Sequence, residues 1–404
     1  MKRMNHFLNQ IAKDLTNTNV ERYWPNFELV AYALYDQNSV FLFNHPRYND
    51  IPPKSYEILK RDEQFVGNTL ILFDGYPTAI ADMELYDDYE GFFSILVHEL
   101  FHGNQYVKGE KRFPDETLGI TYPLTKENVE IRNRERKSLY NALLETDISK
   151  KKQYLNEFIS LREKRTEGIK EHLTYENLIE SVEGPAWYVE IKAFSEKSPL
   201  ANDLILKKYG ENLIDVVEST SNIRRSCYSS GLFMCLLLDE LSPDWKESFF
   251  DINVTLFDLI KRLNIVPRKQ AIEDVQISHE TEEAVNFAVE SRKKELDEFE
   301  AQIGTHLFIE GEIIALSFDP MNIVPLEGRL LHKNYIKVRI INQEYLIQQP
   351  SLAYCAVGLK NINKLLIVLQ DKPLETGDSL FITGIGEIKG QYEIQKDTIN
   401  LVVK

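Results

Sequence analysis

The hydrophobic period of this chain changes once, at Gly304, and that change constrains the fold more than any other feature. From about Asp88 to Ile303, apolar residues recur at helical spacing beside long charged faces. Beyond Gly304 the runs become short and β-branched, with Gly and Pro between them. Leu307–Phe318, Tyr335–Ile347, Leu365–Leu369, Ser379–Ile388 and Tyr392–Val403 read as five short strands of a small sandwich or barrel. Ahead of the helices, Phe27–Tyr35, Ser39–Phe43 and Thr69–Phe73 read as strands, bounded by turns such as Asn44-His-Pro and Asp74-Gly-Tyr-Pro. Thr78–Leu85 reads as a further extended piece. Phe7, Leu8, Ile11 and Leu15 mark an amphipathic helix at the start. The expectation is an α+β protein. Residues 1–304 would hold a sheet (about 25–85) and a mostly helical lobe (88–303), and 305–404 a small all-β domain.

Charge narrows the range of partners. The formal net charge of the 404 residues is −16, and all but one unit of it lies before residue 305. Such an acidic body disfavours nucleic acid or an anionic membrane surface as a partner. No apolar run is long enough to span a bilayer, and the basic Met1-Lys-Arg start is not followed by the apolar core of a secretory signal. Three cysteines, Cys227, Cys235 and Cys355, make no CxxC and no disulfide framework, so a reducing, cytoplasmic setting is expected. There is no P-loop, no GxGxxG after a strand and no GxSxG.

The chemistry-bearing stretch is His98-Glu99-Leu100-Phe101-His102 within an apolar helical segment. Histidines at i and i+4 share one helix face and can chelate a single Zn²⁺, with the intervening Glu99 placed as general base toward water. A catalytic zinc site of this kind needs a third protein ligand. The metzincin continuation is absent, since Gln105 and Lys108 stand where Gly and His would be required. Downstream, Glu176, Glu180, Glu183 and Glu190 fall near one helical face, either as a solvated stripe or as buried carboxylates that are paired or metal-bound. His172 is an alternate ligand.

The segment Glu183-Gly-Pro-Ala-Trp-Tyr-Val-Glu190 resembles the E-G-x-A-x-Y-V-E run of the gluzincin metallopeptidases, specifically the zinc aminopeptidases that carry a GAMEN strand. That resemblance makes Glu183 the third ligand and implies a zincin-like fold with one catalytic Zn²⁺. It implies a peptide or protein substrate. The same family carries Y-x-x-G opening a later helix, which Tyr228 and Gly231 match, and it assigns Tyr228 to the oxyanion. Arg224 and Arg225, one turn earlier, would bind a substrate carboxylate, assist the oxyanion, or simply open the helix in solvent. Ala79–Leu85 is similar to the GAMEN strand through Met83-Glu84. It would lie along extended substrate at the sheet edge, with Glu84 reading the substrate amine. The chain departs from the family in one respect: Glu183 lies 81 positions after His102, a much longer gap than usual. Extra helices at about Asn128–Leu144 and Lys151–Leu173 would fill it. The implied activity is a zinc peptidase, with exo- and endo-cleavage both open. The alternative is a catalytically silent zinc scaffold whose C-terminal β-domain mediates protein interaction or self-contact.

Overall fold

The computed structural model describes residues 2–48, 56–263 and 275–403, so the helical pattern expected at 264–274 lies outside the described residues. The chain is mixed helix and sheet, with an N-terminal sheet, a helical lobe and a C-terminal all-β region. It divides into two compact units, residues 1–114 with 130–276 and residues 115–129 with 277–404. The helices are α1 (Lys2–Asp14), α2 (Asn17–Val20), α3 (Tyr89–Val107), α4 (Thr117–Ile120), α5 (Lys126–Leu144), α6 (Ile148–Lys197), α7 (Asn202–Ile214), α8 (Val216–Ser221), α9 (Ile223–Leu241), α10 (Leu256–Lys261) and α11 (His279–Glu300).

In the first unit, β1 (Ala31–Tyr35), β2 (Ser39–Phe43), β3 (Glu57–Lys60), β4 (Thr69–Phe73) and β5 (Tyr76–Asp82) form one sheet in the order β3-β2-β1-β5-β4. Only β1 and β5 run parallel. The β4–β5 hairpin closes on Asp74 and Gly75 at φ +47° and +82°. Two consecutive positive φ values are what a two-residue turn needs to match strand twist, and Asp-Gly supplies them cheaply. Side chains alternate between faces. Tyr32, Leu34, Phe41, Phe43, Ala79 and Ala81 join the main core with Phe7, Leu8, Ile11 and Leu15 of the N-terminal segment. Ala33, Tyr35, Val40, Leu42 and Ile80 pack on the other side with Phe65 and Phe73.

One expectation is corrected here. The piece beginning at Thr78 is not a sheet edge: β5 is hydrogen-bonded on both sides, to β1 and β4, and ends at Asp82. Met83–Leu85 is a single 3-10 turn in which the Asp82 carboxylate accepts from the Glu84 N–H, and Glu84 is exposed. Extended substrate therefore has no free ladder to join along β5. Among the described residues, the free edge beside it belongs to β4.

Helix α6 contains a break at Ile169 (φ −135°, ψ 38°), so it is two helices laid end to end. With α4 and α5, its first half occupies the long interval between His102 and Glu183, close to the two expected helices.

The second unit has twelve strands among the described residues, where five segments were expected. Leu307–Phe318 is part of β6 (Thr305–Phe318), followed by β7 (Ile323–Leu326) and β8 (Arg329–His332). Tyr335–Ile347 is a hairpin, β9 (Ile336–Ile340) with β10 (Gln343–Ile347). Then come β11 (Ser351–Val357), β12 (Asn361–Leu369), β13 (Leu374–Glu375), β14 (Ser379–Ile382), β15 (Gly386–Lys389), β16 (Gln391–Gln395) and β17 (Thr398–Val402). The hairpin turns use Ile341 and Lys396 at positive φ, residues that carry no turn signal in sequence. Leu307, Ile309, Val338, Leu365, Ile399 and Leu401 build the interior, with Ile120 of α4 among them. Leu296 and Phe299 of α11 bury against Leu331, Leu352 and Leu366, which is why α11 groups with the β region although its period is helical.

Candidate metal centre

Three helices build the site. Helix α3 starts on an Asp88 cap whose carboxylate accepts from the Gly91 N–H at 2.6 Å, and no proline or further glycine interrupts it before His102. Gly103, directly after His102, lets α3 close on the start of the sheet: a Cβ there would lie 2.3 Å from a Val30 methyl. Helices α6 and α9 cross at two glycines. A Cβ on Gly184 would lie 2.6 Å from the Gly231 Cα, and one on Gly231 would lie 2.6 Å from the Glu180 carbonyl oxygen. Gly184 follows Glu183 and Gly231 belongs to the Tyr228 segment. These two glycines therefore set the backbone separation that brings Glu183 and Tyr228 together.

His98 and His102 present their rings edge-to-face, with Nε2 atoms 3.0 Å apart. Glu183 Oε2 lies 3.3 Å from His102 Nε2 and 3.7 Å from His98 Nε2. Among the described residues these three are the group whose ligand atoms converge in the manner of a metal site, and His172 is not part of it. Their tautomers are fixed from behind. Gln105 Nε2 donates to the Val182 carbonyl at 2.7 Å, which turns Gln105 Oε1 toward His102 Nδ1, also at 2.7 Å. His98 Nδ1 donates to Glu190 Oε2 at 2.9 Å, and the Tyr209 hydroxyl donates to Glu190 Oε1 at 3.0 Å. With both Nδ1 atoms protonated, two imidazole lone pairs and a carboxylate oxygen face one point. Lone pairs crowded this way repel unless a cation sits among them.

The donor set fits zinc. Bonds of about 2.0–2.1 Å in a tetrahedral shell put neighbouring ligand atoms about 3.3 Å apart, and the three separations of 3.0, 3.3 and 3.7 Å bracket that value. Charge agrees. Glu99, Glu183 and Glu190 bring three negative charges and Arg224 returns one, leaving two for a divalent ion. With protein groups alone, the site draws protons instead. Burial works against a charged His98, but its hydrogen bonds to Glu183 and Glu190 prevail and raise it to about 10. His102 is raised by Glu183 against the same desolvation. Glu183, although buried, is held well below the usual carboxylate range by the two imidazoles.

Glu99 is buried in this cluster and makes no hydrogen bond among the described residues, and burial raises its carboxyl. Arg224, on the first turn of α9, donates from Nη2 to Glu183 Oε1 at 3.1 Å and from Nη1 to the Tyr228 hydroxyl. Burial pushes the Tyr228 phenol up, and the neighbouring Glu183 carboxylate adds to the shift. Tyr228 also packs edge-on to Trp187, 5.7 Å between ring centres. Arg225 is exposed, and Glu84 is exposed in its 3-10 turn. The cluster thus contains His98, His102, Glu183, Glu99, Tyr228 and Arg224.

Sequence reasoning placed Glu190 only on the acidic face it shares with Glu183, and gave no role to Gln105 or Tyr86. The roles of Glu190 and Gln105 were findable: Glu190 lies two helical turns beyond Glu183, and Gln105 one turn beyond His102. The Tyr86 hydroxyl accepts from Asn68 Nδ2 at 2.7 Å, and burial, then Glu190, pushes its phenol up to about 12. Nothing local in the sequence marks it. No family model matches the chain, and neither a curated protein nor a solved structure matches it.

Proposed function

We propose that this chain is a zinc-dependent peptidase of the gluzincin type, with a zincin-like first unit. The observation that carries the reading is the convergence of His98 Nε2, His102 Nε2 and Glu183 Oε2 on one point, with both Nδ1 atoms already committed as donors. His98, His102 and Glu183 would hold the zinc ion, which would supply Lewis-acid polarisation of a carbonyl and of water. Glu99, one residue from His98 and raised by burial, takes the proton of the attacking water and returns it to the leaving amine. Tyr228 donates its hydroxyl to the oxygen on which negative charge develops. Strand β4, whose outer edge pairs with no strand among the described residues and whose Leu72 is exposed, offers an extended peptide a ladder to join.

The test is hydrolysis of a mixed peptide library by zinc-loaded wild type and Glu99→Gln. The variant should keep its zinc and lose about 10²- to 10⁴-fold in kcat. Zinc uptake without wild-type turnover would make the chain a scaffold, and equal turnover by both proteins would remove Glu99 from the chemistry. Blocked substrate N-termini sort exo- from endo-cleavage and test whether Glu84 reads an amine.

A further inference from the structure

We propose that Arg224 is a positioning residue of this centre: its planar fork holds Glu183 Oε1 with one nitrogen and the Tyr228 hydroxyl with the other, so that Glu183 presents only Oε2 to the two imidazoles. The inference rests on the metal-centre reading and deepens it. Three observations carry it. Nη2 reaches Glu183 Oε1 at 3.1 Å while the other oxygen, Oε2, is the one near His98 and His102. Nη1 meets the Tyr228 hydroxyl, one turn along the same helix. The helix that carries both is pinned to the Glu183 helix at the Gly184–Gly231 crossing, so the fork cannot drift relative to the carboxylate.

A carboxylate with both oxygens free can swing between one- and two-oxygen ligation. With Oε1 occupied by a guanidinium, Glu183 is confined to one oxygen, and a coordination position stays open. The same guanidinium fixes Tyr228 relative to Glu183, so ligand and oxyanion donor are set by one group. A lysine, with a single point charge, can serve one of them and not both. Arg225, its neighbour, is exposed and takes no part in the cluster.

The experiment measures zinc affinity of the full chain by chelator competition, together with the visible spectrum of the cobalt-substituted protein, for wild type, Arg224→Gln, Arg224→Lys and Tyr228→Phe. Arg224→Gln should weaken zinc by about 10- to 100-fold, the range for removing a group that orients a metal ligand. It should also alter the cobalt bands as Glu183 shifts toward two-oxygen ligation. Arg224→Lys should fall between that variant and wild type, and Tyr228→Phe should keep wild-type affinity and bands. Should Arg224→Gln fail to fold, Arg224→Lys carries the test alone. Wild-type affinity and an unchanged spectrum in the Arg224 variants would overturn the assignment of Arg224 and leave the metal centre standing. A wild-type chain that takes up no zinc would overturn the centre itself.

Discussion

Helix α6 carries two sets of buried carboxylates a turn apart, and they are neutralised in opposite ways. Glu176 and Glu180 are fully buried and meet permanent cations. Arg162 donates to Glu180 Oε1 at 2.8 Å, Arg132 to Glu176 Oε2 at 2.9 Å, and Arg165 to Glu176 as well, while Arg162 and Arg165 share Glu135. Ser230 adds a hydroxyl to Glu180. Glu183, one turn on, meets two imidazoles whose opposite nitrogens are already donating. The first set is complete in itself. The second is complete only with a proton or a metal ion. The same residue type on the same helix face is structural where guanidiniums take both of its oxygens and a candidate ligand where, as at Glu183, Arg224 takes only Oε1 and leaves Oε2 to the imidazoles.

That contrast can be broken at either end. The largest expected effect is on the arginine side. Arg162→Met leaves Glu135 and Glu180 buried with a cation removed, and should cost about 3–5 kcal/mol in chemical denaturation. The loss should be the same with zinc or with chelator, and a zinc-dependent loss would show that the two sets are not separate. Next is metal removal. Zinc present at about a thousand times its Kd should stabilise the chain by about 4 kcal/mol. Chelation should remove that in a thermal melt of wild type and change nothing in Glu183→Gln.

The smallest and most diagnostic effect is on pH dependence. In metal-free protein His98 is raised from 6.5 to about 10, so its pairing stabilises the fold fully below about pH 6.5 and is lost as pH rises through about 10. Glu183 has the opposite sign: its contribution is present above the ordinary carboxylate range and lost as pH falls through its lowered pKa. Zinc needs both imidazoles unprotonated. The gap in Tm between zinc-loaded and metal-free protein should therefore widen from pH 6.5 to 10, and a constant gap would mean that the ion binds elsewhere.

What the sequence made legible follows from spacing. His98 and His102 are one helical turn apart, so their shared face was readable. Glu183 was readable through the similarity of its segment, and Gly184 and Gly231 acquire a physical reason only in three dimensions, as the contact between α6 and α9. The arginine cage was not legible. Arg132, Arg162 and Arg165 look like the charged faces of surface helices, and only tertiary pairing with Glu135, Glu176 and Glu180 puts them inside, as backbone carbonyls and Ser229 do for Arg136. Strand β5 was misplaced at the edge because local pattern says nothing of strand order. The hairpins of the second unit were hidden because Ile341 and Lys396 occupy turn positions that sequence reasoning reserves for Gly and Asn.

The most direct test of the centre is the metal content of the full chain after exposure to stoichiometric zinc and desalting, measured by elemental analysis for wild type and Glu183→Gln. One zinc per wild-type chain, lost or strongly depleted in the variant, is the predicted result. Zinc absent from wild type, or retained equally by both, would contradict a centre shared by His98, His102 and Glu183.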